Sequence, residues 1–178
     1  VSSESRTTPR RRVASPGAHR ADRDRRIVSM QSLNRREIVA LVVVAAVFAG
    51  WLLMPVIRQP QEYHAFADQR AFLGIPHAAD VLSNLALVAA GLFGLWRTQR
   101  TSRPLLPITR ASLVVSFAGM ALSGVGSIWY HLSPTDVTLV WDRLPMTIAF
   151  AGVYGAMFAE RISARAGFAI LLVALVVG

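Results

Sequence analysis

Within SIWYHLSPTDVTLVWDRLPM, Ser127 to Met146, three residues are of types that do chemistry: Ser127, His131 and Asp142. Ser127 and His131 are four apart, which makes them neighbours on one face of a helix. A hydroxyl beside an imidazole, with a carboxylate in reach, is the composition of a nucleophilic triad. No nucleophile elbow surrounds the serine, however, and a continuous helix has already committed the backbone amides that an oxyanion hole would need. Upstream, His77, Asp80 and Asn84 follow the i, i+3, i+7 spacing of a polar stripe on one helix face. Each residue also has a plain structural use. Asp142 has Arg143 beside it, although adjacent residues point about 100° apart on a helix. His131 sits next to Trp129 and Tyr130, the pattern of an interfacial aromatic belt. Ser127 continues a run of small residues, Gly119, Ser123, Gly124 and Gly126, suited to close helix packing. Asp80 and Asn84 are spaced for a hydrogen-bonded pair.

The elements that must position these residues are membrane-length apolar runs. Of 178 residues 53% are hydrophobic, against roughly 45–50% in an average soluble domain. Ile38 to Ile57 carries no charge, and Ala78 to Trp96 is apolar apart from Asp80, Ser83 and Asn84. Ala111 to Tyr130 is uncharged, Val137 to Phe158 has only Asp142 and Arg143, and a shorter run covers Gly167 to Gly178. About twenty apolar residues span a bilayer core of roughly 30 Å. The pattern predicts an all-α, multi-pass transmembrane bundle with spans near 38–57, 78–96, 111–130 and 137–158, and an incomplete one at 167–178. A carboxylate inside a span costs about 2.5–3.5 kcal/mol on insertion scales and normally faces the bundle interior. Asp142 is therefore the residue whose placement most needs a reason.

Charge gives the orientation. All 19 basic residues are arginine, and the formal net charge is +9. Such a charge in a soluble protein would suggest nucleic acid, but here its distribution along the chain explains it. Residues 1–37 hold ten arginines among Ser and Pro, with too little apolar surface to fold, and are predicted to be a disordered cytoplasmic tail. The linker from Arg97 to Arg110 has four arginines and no acid, whereas that from Arg58 to His77 has two, offset by Glu62 and Asp68. Arginine-rich loops stay cytoplasmic, so the N-terminus and the Arg97–Arg110 loop are expected inside and the Arg58–His77 linker outside. In that topology Asp80, Asn84, Ser127, His131 and Asp142 all come to the outer half of the membrane. The first run is read as an uncleaved anchor, being long for a signal peptide and lacking a small-x-small site after it. With no cysteine, thiolate chemistry and disulfides are excluded.

Taken jointly, S-x-x-x-H at the end of one span and an aspartate within WDRLPM resemble the alkaline ceramidase family, part of the seven-helix membrane hydrolases that include the adiponectin and progestin receptor-like proteins. FADQRAFLGIPHAADVLSNL, with its G-I-P and S-N-L signatures, is similar to the entry into the first core helix of bacterial members. The likeness covers Glu62 onward and makes the first span an addition before a seven-helix core. It implies a zinc-dependent hydrolase of a ceramide-like lipid amide in a bacterial plasma membrane. His131 would be one of three histidine zinc ligands, with Ser127 and Asp142 beside the metal-bound water. Zinc lowers the pKa of such a water to about 7, Asp142 would move its proton to the leaving amine, and Ser127 would steady the oxyanion. A membrane lipid is then the partner.

The sequence departs from that family in two places. The family's calcium loop is acidic, but here only Asp68, Asp80 and Asn84 offer oxygens, and His77 stands where a carboxylate is expected. Calcium takes six to eight oxygens, so it is doubtful, and these four residues are equally a structural polar cluster. The other two zinc ligands would come from an H-x-x-x-H motif, which the remaining histidines, His19, His64 and His77, do not form. By the resemblance the sequence is C-terminally truncated, and this chain alone is expected to be catalytically silent. The rival functions are a lipid-sensing receptor or transporter without hydrolysis, and a metal-free serine hydrolase on Ser127, His131 and Asp142. Because the chain has no native cysteine, single substitutions report topology cleanly. An impermeant thiol reagent applied to intact cells should label Gln61→Cys and leave Thr101→Cys untouched; the reverse would invert the orientation.

Overall fold

The computed structural model describes residues 33–55 and 59–178. Most of the expected disordered tail, residues 1–32, and the last two residues of the expected first span lie outside the described residues. The described chain is all-helical: α1 (Arg35–Leu52), a 3-10 turn (Gln61–His64), α2 (Ala78–Arg100), α3 (Pro107–Leu132), α4 (Asp136–Arg161) and α5 (Ala164–Val177). Two compact units divide within α1, at Ala45 and Ala46.

α1 opens on a reciprocal cap. Asn34 N–H donates to Glu37 Oε2 at 2.8 Å, and Glu37 N–H donates to Asn34 Oδ1 at 2.9 Å, so two otherwise orphaned amides are satisfied. The helix ends just before Met54-Pro55, where a following proline disfavours helical backbone. It starts earlier and stops earlier than the apolar run suggests, because capping chemistry and proline, not hydropathy, set its ends.

In the second unit α3 is the central helix, with α2 and α4 packed against it and α5 against α4. Each junction has a local cause. Pro107 occupies the first turn of α3, where its missing N–H costs nothing. Between α3 and α4, Thr135 caps α4 in a capping box with Thr138: Thr138 N–H donates to Thr135 Oγ1 at 3.1 Å and Thr135 N–H to Thr138 Oγ1 at 3.0 Å. Ser163 accepts from Ala166 N–H at 3.1 Å to start α5. At the opposite end from the α3–α4 turn, Arg110 donates to the Thr98 carbonyl at 2.6 Å, satisfying an acceptor in the last turn of α2.

The helices meet through small residues. A Cβ on Gly91 would lie 2.8 Å from Ala121 Cα, and one on Gly119 would lie 2.8 Å from Ala149 Cα. Gly152 faces the backbone of Ser112 and Ser116, and Gly167 faces Ala159. One contact has a further cause. Pro145, buried inside α4, has no N–H to donate to the Trp141 carbonyl four residues back. That freed carbonyl lies against Gly126 of α3, and a Cβ there would also come 3.2 Å from Asp142 Cα.

α2 and α3 are long and apolar enough to cross a membrane. The sequence suggests four complete spans, and the difference lies in the charges. α1 begins with Arg35, Arg36 and Glu37, and α4 carries Asp142 and Arg143 within its first two turns. α5 is apolar and 14 residues long.

The Gly126 contact is testable. Gly126→Ala should destabilise the detergent-solubilised protein by about 1–3 kcal/mol, the usual cost of overpacking. Gly50→Ala, with nothing within 4 Å of its added Cβ, should be neutral or slightly stabilising. Thermal unfolding of the two variants against the parent decides it.

Candidate functional site

The polar residues singled out in the sequence divide into two adjacent layers. One is a cavity of about 330 Å³ between α2, α3 and α4, lined by Asn84, Ser127 and Asp142 together with Ser116 and Ser123. Its other walls are apolar, including Leu87, Met120, Met146 and Phe150. Close approach at Gly126 sets the register between α3 and α4, so Ser127 and Asp142 open into the same space. Among the described residues Asp142 has no ion-pair or hydrogen-bond partner. Arg143 instead lies over the Tyr63 ring, its Cζ 5.0 Å from the centroid, a cation–π contact that directs the guanidinium away from its neighbour. Ser123 is buried and its hydroxyl has no partner among the described residues, so the cavity also offers an unused donor.

The second layer closes the end of the bundle around Phe66. Its ring lies 4.4 Å from that of His131, 4.9 Å from His77 and 5.2 Å from Tyr130, centroid to centroid. His131 is not among the residues lining the cavity and makes no hydrogen bond to Ser127 or Asp142. Its Nδ1 is buried and has no hydrogen-bond partner among the described residues, lying 3.7 Å from Asp80 Oδ2. His77 does not share a helical face with Asp80 and Asn84. It precedes α2 with left-handed backbone, φ 47°, and its Nδ1 reaches the Asp68 carbonyl at 2.6 Å. Asn84 Nδ2 donates to the backbone carbonyl of Asp80 at 2.8 Å, so this pair joins through the main chain and leaves the Asp80 carboxylate to His131. Tyr130 is buried, whereas Trp129 is exposed and stacks on Trp141 at 6.3 Å; of the expected aromatic belt, only the tryptophan faces outward.

Sequence reasoning passed over His64. The 3-10 turn brings it to Tyr130 of α3, with Nδ1 2.8 Å from the hydroxyl, and to Asp136 of α4, with Nε2 3.0 Å from Oδ1. A single neutral tautomer serves both, accepting from the phenol at Nδ1 and donating to the carboxylate from Nε2. Gln61 Nε2 adds a bond to Asp136 Oδ2 at 3.2 Å. No periodicity could have disclosed this, because the partners belong to an irregular turn and two distant helices. These bonds from His64 and then Gln61 hold the Asp136 carboxyl below its ordinary range.

Asp68 has a comparable role at the start of α2. Its Oδ2 accepts from Ala79 N–H at 2.8 Å and its Oδ1 from Arg70 Nε at 2.9 Å. The Arg70 bond, then the Ala79 amide, lower its pKa. It is a helix cap, and Asp80 points elsewhere.

Among the described residues no group of three or more His, Asp or Glu is arranged to hold a metal ion. His131 Nδ1 has one carboxylate near it, and catalytic zinc ordinarily takes three protein ligands. The donors present do not by themselves fit the ion. Comparison with protein-family models, curated proteins and solved structures finds no match to this chain.

The Asp68 cap has a signed pH dependence. A depressed carboxyl contributes stability above its unfolded pKa, and that contribution is lost as pH falls through the lower folded value. The protection of the Ala79 amide against exchange, relative to its intrinsic rate at each pH, should therefore fall as the pH drops through and below the ordinary carboxylate range. Asp68→Asn should remove that pH dependence and leave exchange in the middle of α3 unchanged.

Proposed function

We propose that this chain is part of a multi-pass integral-membrane hydrolase of a lipid amide, of the alkaline ceramidase type, to which it contributes the cavity between α2, α3 and α4 as the place of the chemistry. The observation that carries the reading is the situation of Asp142. An acid inside an apolar bundle is expensive and usually paired, yet its neighbouring arginine is engaged with Tyr63. The carboxylate opens into a cavity with a serine hydroxyl and an amide side chain. The arginine distribution supports a plasma-membrane orientation with the N-terminus in the cytoplasm and this site in the outer half.

The chemistry follows from the groups at hand. The Asp142 carboxylate takes a proton from an attacking water as its oxygen bonds to the amide carbon. The Ser127 hydroxyl donates to the carbonyl oxygen while that oxygen gains charge. As the C–N bond breaks, Asp142 returns the proton to the departing nitrogen, leaving a fatty acid and an amine. The apolar walls suit an acyl chain that enters sideways from the bilayer. Zinc belongs to this reading through the motif resemblance alone. His131 would be one ligand, and the described residues do not complete the set.

The apolar lining of the cavity also favours a second reading, a lipid-binding receptor or transporter without turnover. The metal-free serine hydrolase is less well supported, since the His131 imidazole is turned to Asp80. In proteoliposomes supplied with a radiolabelled long-chain N-acyl amino alcohol, fatty-acid release and lipid binding should be measured together. The 178-residue chain alone should release no fatty acid; joined to the further helices that the resemblance implies, it should hydrolyse the amide, with release falling at least about 100-fold in Asp142→Asn and by about 100-fold or more in Ser127→Ala. Binding without any release by the joined chain would make the protein a receptor or transporter. Release that survives both substitutions would place the chemistry elsewhere. Loss on chelation with recovery on added zinc would support the metal, and indifference to chelation would remove it.

A further inference from the structure

Ahead of α2 the chain makes a two-residue turn, Phe72-Leu73-Gly74-Ile75, whose composition is at odds with water. Phe72 N–H donates to the Ile75 carbonyl at 3.1 Å, and Ile75 N–H donates back to the Phe72 carbonyl at 2.9 Å. Both central residues have positive φ, 49° at Leu73 and 79° at Gly74, the signature of a type I′ turn. Asn-Gly or Asp-Gly normally fills such a turn, because only glycine and small polar residues enter the left-handed region readily. Here the first position is leucine, its surface 85% exposed, next to Phe72 at 58%. An aqueous loop tip would gain from a polar residue here on both backbone and solvation grounds.

The turn is firmly mounted. Ala78 N–H donates to the Arg70 carbonyl at 3.2 Å, Asp68 caps α2 through Ala79, and the His77 ring reaches back to the Asp68 carbonyl at 2.6 Å. The tip is thus fixed beside the first turn of a helix long and apolar enough to cross a bilayer, and that helix continues the apolar surface with exposed Leu82 and Leu85.

We propose that the Phe72–Ile75 turn is an interfacial anchor whose Phe72 and Leu73 side chains insert into the lipid surface at the outer end of α2. The proposal rests on the reading of the chain as a membrane protein, because α2 must span for its start to lie at the boundary. A lipid surface accounts for both anomalies: the leucine's exposed side chain leaves water, and the bilayer compensates for its strained backbone. A fixed tip of this kind would hold the depth of the α2 N-terminus, and with it the Phe66 layer, relative to the membrane.

The absence of cysteine makes the test specific. An environment-sensitive fluorophore is attached at Leu73→Cys, at Gln69→Cys on the same loop, and at Leu92→Cys within α2. Each labelled protein is reconstituted in phosphatidylcholine vesicles and challenged with iodide in water and with lipids spin-labelled at shallow and deep positions. The proposal expects Leu73 to be quenched at least twofold more by shallow spin labels than Gln69, Leu92 to be quenched by the deep ones, and iodide to reach only Gln69. Leu92 quenched by lipid while Leu73 behaves as Gln69 does would overturn the anchor and leave the membrane reading standing. A Leu73 probe shielded from both iodide and lipid would also overturn it, pointing to a protein partner at the tip. Failure of lipid to quench Leu92 would remove the membrane reading and the anchor together.

Discussion

The contact on which the site depends is the approach of α3 to α4 at Gly126. Pro145 cannot donate to the Trp141 carbonyl, and α3 presents a residue without a side chain at the place where that carbonyl emerges. A methyl group there would push the helices apart and separate Ser127 from Asp142. Gly119 and Gly152 keep the same spacing along the rest of the seam. On the proposed membrane reading, the gain from close packing between apolar helices is dispersion and polar contact, since hydrophobic transfer contributes little in lipid. Small residues therefore carry the architecture, and the cavity exists where the seam gives way to longer side chains such as Met120 and Met146.

Above the cavity the aromatic layer decides what each histidine can do. His64 has both nitrogens bonded, to a phenol and to a carboxylate, and acts as a clamp between the 3-10 turn, α3 and α4. His77 turns its Nδ1 to a main-chain carbonyl. Of these three, His131 has a buried nitrogen with no hydrogen-bond partner among the described residues, with the Asp80 oxygen just beyond bonding reach. Phe66, in contact with His131 and His77, keeps this end of the bundle apolar despite three imidazoles. In such surroundings an unmet nitrogen carries most of the desolvation penalty of its group, which makes His131 the residue in this layer least explained by structure alone.

Much of this was legible in the sequence, and the failures have physical reasons. Helix positions followed from apolar runs, because burial and lipid exposure both select long unbroken apolar stretches. Helix ends did not follow, since Asn34 with Glu37, Thr135 with Thr138 and Pro55 set them through local hydrogen bonding and backbone sterics. The convergence of Asn84, Ser127 and Asp142 was readable from spacing and topology. The separation of His131 from them was not: it depends on Phe66 and on the direction of the Asp80 carboxylate, neither of which has a periodic signature. His77 was placed on a helix by its spacing, and a left-handed backbone at that residue is a tertiary outcome. His64 was invisible because its partners are distant in sequence.

The two layers also divide the work of the bundle. The Phe66 layer holds helices together by rings and by the bonds of His64, Asp68 and His77. In the cavity layer polar groups are left over: among the described residues the Ser123 hydroxyl has no hydrogen-bond partner, and Ser127 and Asp142 line the same space. A purely structural acid at position 142 would gain most from Arg143, one residue away and of opposite charge. Helical geometry turns that arginine outward, where the Tyr63 ring receives it. An acid that stability alone could have paired or replaced with an apolar residue is instead kept, unpaired, at the wall of a space large enough to hold part of a lipid. That combination is the physical case for the proposal that Asp142 takes part in chemistry.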